Sequence, residues 1–157
     1  MTQSNALRSF DQRVRMRIYR FILRTGRVPA AAELAAPLRK PEAEILAAYR
    51  RLAKAHAIVL EPNGERILRA APFWGSPTGF AVEVGRRSYW ASCIWDALGV
   101  PAMLGRDARI HTACGCCSEA MEVQVWGSKL PAGRAGGRGV IHFAVPARDW
   151  YRDIVFT

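Results

Sequence analysis

The 157-residue chain has no apolar run of the roughly 18 residues that a membrane-spanning helix needs. Its first residues, MTQSNALRSFDQRVRMR, lack the apolar stretch of a secretion signal. Those two absences predict a cytoplasmic protein, in a compartment that keeps thiols reduced. Acid is scarce: 13 Asp+Glu face 23 Lys+Arg, a net charge of +10. There are no internal repeats. The glycine-rich stretch Lys129–Gly139 opens no helix after a strand, which excludes a P-loop and a dinucleotide fingerprint. Cysteine is rare and confined: all four lie between Cys93 and Cys117, three of them at Cys114, Cys116 and Cys117. That crowding makes a poor disulfide framework and a better soft-metal or reactive-thiol cluster.

What is present is enough apolar sequence, half of the chain, for one sizeable domain or two small ones sharing a core. Phe10, Val14, Ile18, Phe21 and Ile22 recur at helical spacing and predict a helix over Leu7–Thr25, ended by Gly26. A short helix is expected over Ala30–Ala36 and a third over Pro41–His56, with Ile45, Leu46, Tyr49 and Leu52 as its apolar stripe. Ile58–Leu60 and Arg66–Leu68 flank Asn63-Gly64, a hairpin signal. Three helices and a hairpin have the order of a winged helix-turn-helix. Pro72–Gly79 has the composition of a linker. Beyond it, strands are expected at Phe80–Val84, Ala108–Thr112, Met121–Trp126 and Val140–Val145. A short helix over Ala91–Leu98 should stop at Gly99 and Pro101, and a helical turn is expected over Ala147–Asp153. The expected class is α+β. A winged-helix-like region, 1–72, precedes a small mixed or antiparallel sheet core, 73–157, whose short helix carries Cys93 and Asp96.

The charge is uneven. Residues 1–75 hold 14 Lys+Arg against 6 Asp+Glu, an excess of +8, whereas residues 76–157 have an excess of only +2. Such a half invites DNA as a partner through Arg50, Arg51 and Lys54 of the third helix. Against it, Glu42 and Glu44 lie near that helix's start, where base contacts are usually made, and an arginine-rich solvated surface accounts for the charge equally well.

The chemistry concentrates in WASCIWDALGVPAMLGRDARIHTACGCC. Cys93 and Asp96, three residues apart in an expected helix, share a face. A thiol beside a carboxyl can bind a soft metal and move a proton in one place. Tyr89, Trp90 and Trp95 suggest an apolar pocket whose desolvation would help Asp96 hold a proton. A lone buried cysteine, by contrast, is usually only a small apolar filler. Cys114 and Cys117 have the C-x-x-C spacing of a metal knuckle, with Cys116 and His111 available nearby. Zinc, a soft-metal collecting point and incidental thiols all fit that spacing. His56 and His142 have no local partner that marks them as catalytic.

Taken in order, the strand FAVEV, the pair Tyr89–Trp90, Cys93-x-x-Asp96, and Leu98-x-x-Pro-Ala-x-x-Gly-Arg-x-Ala-Arg ending at Arg109 resemble the core of the organomercurial (alkylmercury) lyases. The likeness continues more weakly through Cys114 and Val140–Pro146. The resemblance implies protonolysis of a carbon–mercury bond, giving a hydrocarbon and Hg(II), by two cysteines and one aspartate. Cys93 matches the first cysteine and Asp96 the aspartate. It implies an organomercurial substrate, no required cofactor, Hg(II) as bound product, and cellular thiols or mercuric reductase as its acceptor. In that family the second catalytic cysteine follows a segment resembling Trp150–Thr157, and the sequence ends at Thr157. The expectation is therefore a shortened core or a weakened lyase, with Cys114, Cys116 or Cys117 as candidates to replace that thiol. The competing expectations are a thiol-based, metal-responsive DNA-binding protein and a zinc-stabilised module at the Cys114–Cys117 loop.

Overall fold

A computed structural model describes residues 2–130 and 140–155. The first helix, α1, spans Thr2–Thr25 and buries the expected stripe of Phe10, Val14, Ile18, Phe21 and Ile22. Gly26 ends it at φ +80°, with its N–H on the Ile22 carbonyl at 2.7 Å. Only glycine fits there, because a Cβ would stand 2.7 Å from the Ser88 carbonyl oxygen. The helix stop is thus also where the second half of the chain docks.

Helix α2 covers Ala31–Leu38 and α3 covers Glu42–Lys54. Glu42 and Glu44 sit in the first turn of α3, where the helix dipole favours them. Ile45, Ala48, Tyr49 and Leu52 are buried. Full burial of a side chain such as Ile45 is worth about 1.5–3 kcal/mol. Tyr49 donates its hydroxyl to the Pro29 carbonyl at 3.3 Å, and burial raises its pKa. Arg51 holds Asp11 of α1 through two charge-assisted bonds, Nε to Oδ2 at 2.9 Å and Nη2 to Oδ1 at 2.7 Å. One of the three cations suggested for DNA contact is therefore committed to helix packing.

A three-stranded antiparallel sheet follows: β1 (Val59–Leu60), β2 (Ile67–Ala70) and β3 (Phe73–Trp74), in that order. The turn at Glu61–Gly64 closes as expected, with the Gly64 N–H on the Glu61 carbonyl at 2.8 Å. The expected linker at Pro72–Gly79 begins instead as strand. Phe73 and Trp74 pair with Ala70 and Arg69. Phe73 is buried with its ring 5.2 Å from that of Tyr89. Its apolar side chain outweighed the Pro/Gly composition around it.

The second sheet has the order β5-β4-β6-β7, antiparallel throughout: β4 Ala81–Val84, β5 Arg87–Trp90, β6 Ala108–Ala113 and β7 Ala120–Val125. Val82, Val84, Ala108, Ile110 and Val125 are buried, the alternation of a half-covered sheet. Helix α4, Ile94–Leu104, packs against β3, β4 and β6. It runs through Gly99 and Pro101, where the sequence predicted a stop, and ends at Gly105 with φ +59°. Burial of Ala97, Val100 and Pro101 on the sheet overrides the weak local propensity.

Val140–Val145, predicted as a strand, forms none; Val140 is 88% exposed. The segment pairs with neither edge strand of the second sheet, and Phe143 packs instead between Trp95 and Trp150. The helical turn near the C-terminus is a 3-10 helix, Ala147–Arg152. Most of the expected glycine-rich loop, 131–139, lies outside the described residues. One hydrophobic cluster runs from Phe10 to Val125 and spans both sheets. The architecture is α+β. No helix among the described residues is long and apolar enough to cross a membrane.

Candidate active site

Cys93 is the residue immediately before α4, and its carbonyl accepts the Ala97 N–H at 2.9 Å, closing the first helical turn. It lines a cavity of about 180 Å³ together with Ile94, Trp95, Phe143, Val145 and Trp150. The walls are joined ring to ring: Trp95 meets Phe143 edge-on at 5.7 Å, and Phe143 lies 5.7 Å from Trp150. Trp150 in turn donates its indole N–H to the Val145 carbonyl at 2.9 Å. The C-terminal segment is tied back to the helical half by Tyr151. Its hydroxyl donates to the His56 carbonyl at 3.1 Å, and the two rings stack at 4.0 Å. The space is small and mostly apolar, shaped for a compact ligand.

Asp96 sits one helical turn along α4 and is 7% exposed as a residue. Its Oδ2 accepts the Ser92 hydroxyl at 2.6 Å and lies 2.9 Å from Arg69 Nη2. The Arg69 side chain is 13% exposed, so this is a desolvated ion pair between β2 and α4. Arg69 Nε is buried without a hydrogen-bond partner among the described residues. The sequence suggested an apolar pocket of Tyr89, Trp90 and Trp95 around the Cys93–Asp96 pair. Tyr89 packs instead on Phe73, Trp95 is 54% exposed at the cavity rim, and Asp96 meets a guanidinium and a hydroxyl. Cys93 lines the cavity; Asp96 lies behind it and is not part of the lining. Sequence reasoning missed Arg69 and Ser92. The i, i+4 spacing of Ser92 and Asp96 was a usable signal, whereas nothing local ties Arg69 to α4.

The other three thiols lie elsewhere. Cys114, Cys116 and Cys117 occupy the tight turn joining β6 to β7. The turn is closed by the Cys114 N–H on the Glu119 carbonyl and the Ser118 N–H on the Cys114 carbonyl, each at 2.8 Å. The backbone N–H groups of Cys116 and Cys117, with the Cys117 thiol, hold Cys114 below the usual thiol range. His111 does not join them. Its ring stands between Glu83, at 3.4 Å, and Glu122, at 3.8 Å. Among the described residues no three His, Cys, Asp or Glu side chains gather in a group able to hold a metal ion. The zinc site suggested by the C-x-x-C spacing therefore lacks its remaining ligands. His142, unremarkable in sequence, lines the Cys93 cavity.

This geometry can be set beside known proteins. A crystal structure titled the mercury-bound form of MerB2 shares the fold, with a TM-score of 0.58 and 24% sequence identity over 80% of this chain. The chain spans 65% of that protein's length. Among curated proteins none matches. The family profile described as MerB, alkylmercury lyase, matches residues 73–156, more than half of the sequence and all of the segment carrying Cys93, Asp96 and the cavity wall. The chain belongs to the alkylmercury lyase family.

Proposed function

We propose that this chain cleaves carbon–mercury bonds by protonolysis, with Cys93 as mercury ligand and Asp96 as proton donor. The observation that carries the reading is the placement of Cys93 on a small aromatic-walled cavity directly before the helix that buries Asp96, within the segment that matches the family. Mercury is soft, so a thiolate is its preferred ligand. The thiol proton of Cys93 passes to Asp96 as an S–Hg bond forms to the organomercurial and the anion that mercury carried leaves. A second thiolate, supplied by a cellular monothiol, adds to the metal and raises electron density on the Hg–C bond. The proton on Asp96 then goes to carbon, and the electron pair of the breaking Hg–C bond becomes the new C–H bond. The hydrocarbon leaves, and Hg(II) stays on sulfur until cellular thiols or a mercuric reductase remove it.

Arg69 and Ser92 supply what the apolar pocket alone would not: a fixed carboxylate rotamer and a cation facing it between proton transfers. Trp95, Phe143 and Trp150 offer aromatic surface to the organic group. In this reading residues 1–72 are a winged-helix-like packing module, and the protein works in the cytoplasm. The test is incubation with phenylmercury in excess monothiol, following benzene release and protein-bound mercury by mass. Benzene release that needs Cys93 supports the reading; mercury uptake without benzene reduces the chain to a binder.

A further inference from the structure

Six of the nine residues that line the Cys93 cavity come from one stretch of chain, 141–150, and only Cys93, Ile94 and Trp95 come from elsewhere. That stretch joins neither sheet, and no residue from 140 to 152 is buried. It is tied firmly to itself. The Trp150 indole N–H donates to the Val145 carbonyl at 2.9 Å, and the Asp149 N–H to the Pro146 carbonyl at 2.8 Å. Arg152 Nη2 lies 3.2 Å from Asp149 Oδ1. Two contacts reach from it to distant parts of the chain: Phe143 on Trp95, and Tyr151 on His56 at the end of α3. A unit with firm internal ties and no buried side chain is one that opens at low free energy.

We propose that residues 140–152 are a strap, and that Tyr151 and His56 are the clasp that holds it against the Cys93 cavity. His56 offers Tyr151 two contacts of different kinds. Its carbonyl accepts the Tyr151 hydroxyl at 3.1 Å, and its ring stacks on the Tyr151 ring at 4.0 Å, 13° from parallel. The local backbone sets this up. His56 takes φ +57° just past α3, its N–H goes back to the Ala53 carbonyl at 2.9 Å, and its own carbonyl is left for the strap. With the clasp closed, Phe143 and Trp150 form the aromatic wall; with it open, Cys93 meets solvent and larger reagents. The helical region, outside the segment that matches the family profile, thereby shapes the cavity. This inference deepens the lyase reading, in which the same wall seats the organic group. Tyr151 and His56 are positioning residues there, because they act on the ligand only through the strap.

The test labels the full chain with dilute N-ethylmaleimide, so that the rate at Cys93 follows the open population. Peptide masses report Cys93 separately from the thiols of the β6–β7 turn, which do not line the cavity and serve as the internal reference. No carbon–mercury bond is involved, so failure here and failure of the lyase reading are distinguishable. Tyr151→Ala should raise the Cys93 rate roughly tenfold, the change in open population expected when one hydrogen bond and one ring stack are lost. Tyr151→Phe keeps the ring and loses only the hydroxyl, and should raise it roughly threefold. His56→Gly removes the ring, keeps the carbonyl and suits the positive φ. It should also raise the Cys93 rate roughly threefold, while the urea unfolding midpoint stays at or above the parent's. The reference thiols should label at the parent rate in all three variants. The proposal is overturned if Tyr151→Ala and His56→Gly label Cys93 at the parent rate. It is equally overturned if the reference thiols accelerate together with Cys93, the sign of general loosening rather than of an opening strap.

Discussion

Two cysteine sites at one end of one sheet differ in almost every physical respect. Cys93 lies on a cavity walled by aromatic rings, with a buried Asp96–Arg69 pair behind it. Cys114 and Cys117 lie in an open turn, closed by the Cys114 N–H on the Glu119 carbonyl and the Ser118 N–H on the Cys114 carbonyl. The first sets a thiol on a cavity, with a desolvated carboxylate–guanidinium pair one helical turn away. The second is open to solvent, with Cys116 and Cys117 exposed and the charge of Glu119 acting on Cys114. The same residue type thus meets aromatic walls and a buried ion pair in one place and open solvent in the other.

The sharpest way to break this contrast is at Cys93. Cys93→Ser is expected to abolish benzene release from phenylmercury, and activity unaltered by that change would remove the proposed mechanism. Asp96→Asn should slow release by roughly 10²–10⁴-fold, the usual contribution of a positioned general acid. Mercury bound per chain should stay at the parent level, a split that separates proton delivery from metal binding.

Arg69→Ala leaves Asp96 buried without its cation and should cost about 3–5 kcal/mol of stability in urea unfolding. Pairing Arg69→Met with Asp96→Leu should restore most of that loss while leaving cleavage absent. If Arg69→Ala unfolds at the parent midpoint, the pair is not the desolvated contact described here. At the turn, by contrast, Cys114→Ser with Cys117→Ser should change unfolding free energy by less than about 0.5 kcal/mol, as expected of an exposed site.

The smallest expected effect concerns a carboxylate outside both sites. Arg27 donates to Glu33, with Nη1 to Oε2 at 2.8 Å, and Glu33 also accepts the Ala30 N–H at 2.9 Å. The bonds from Arg27 lower the Glu33 pKa from 4.5 to about 2. A lowered carboxylate pKa stabilises the fold above the unfolded value and loses that contribution as the pH falls toward the folded one. The window is therefore pH 4.5 down to about 2. Both groups are partly exposed, so the contribution is below about 1 kcal/mol. Glu33→Gln should flatten the stability profile across that window and leave it unchanged at neutral pH.

The helices were legible because their apolar stripes recur at 3.6-residue spacing, as at Val14, Ile18, Phe21 and Ile22. Two misreadings share one cause. Phe73–Trp74 looked like linker and Val140–Val145 like strand, because a strand is decided by whether the segment reaches a partner strand, which local pattern cannot report. Pro101 looked like a helix end, and the sheet beneath α4 carried the helix past it. At the site, the expected helical face shared by Cys93 and Asp96 is not met, because Cys93 precedes α4 in extended backbone and Asp96 lies off the cavity that Cys93 lines. Arg69 was not legible, because 27 residues and a change of sheet separate it from Asp96.

By itself, then, the sequence determined the α+β class, the positions of the first three helices, and the three-residue separation of Cys93 and Asp96. Helix periodicity and short-range spacing are local properties. Only the tertiary structure decided that Arg69 faces Asp96, that Phe143 and Trp150 line the cavity with Cys93, and that His111 stands between Glu83 and Glu122 rather than with the Cys114–Cys117 turn. Each of those is a meeting of residues distant along the chain, and such meetings are fixed by burial and strand pairing rather than by neighbouring letters.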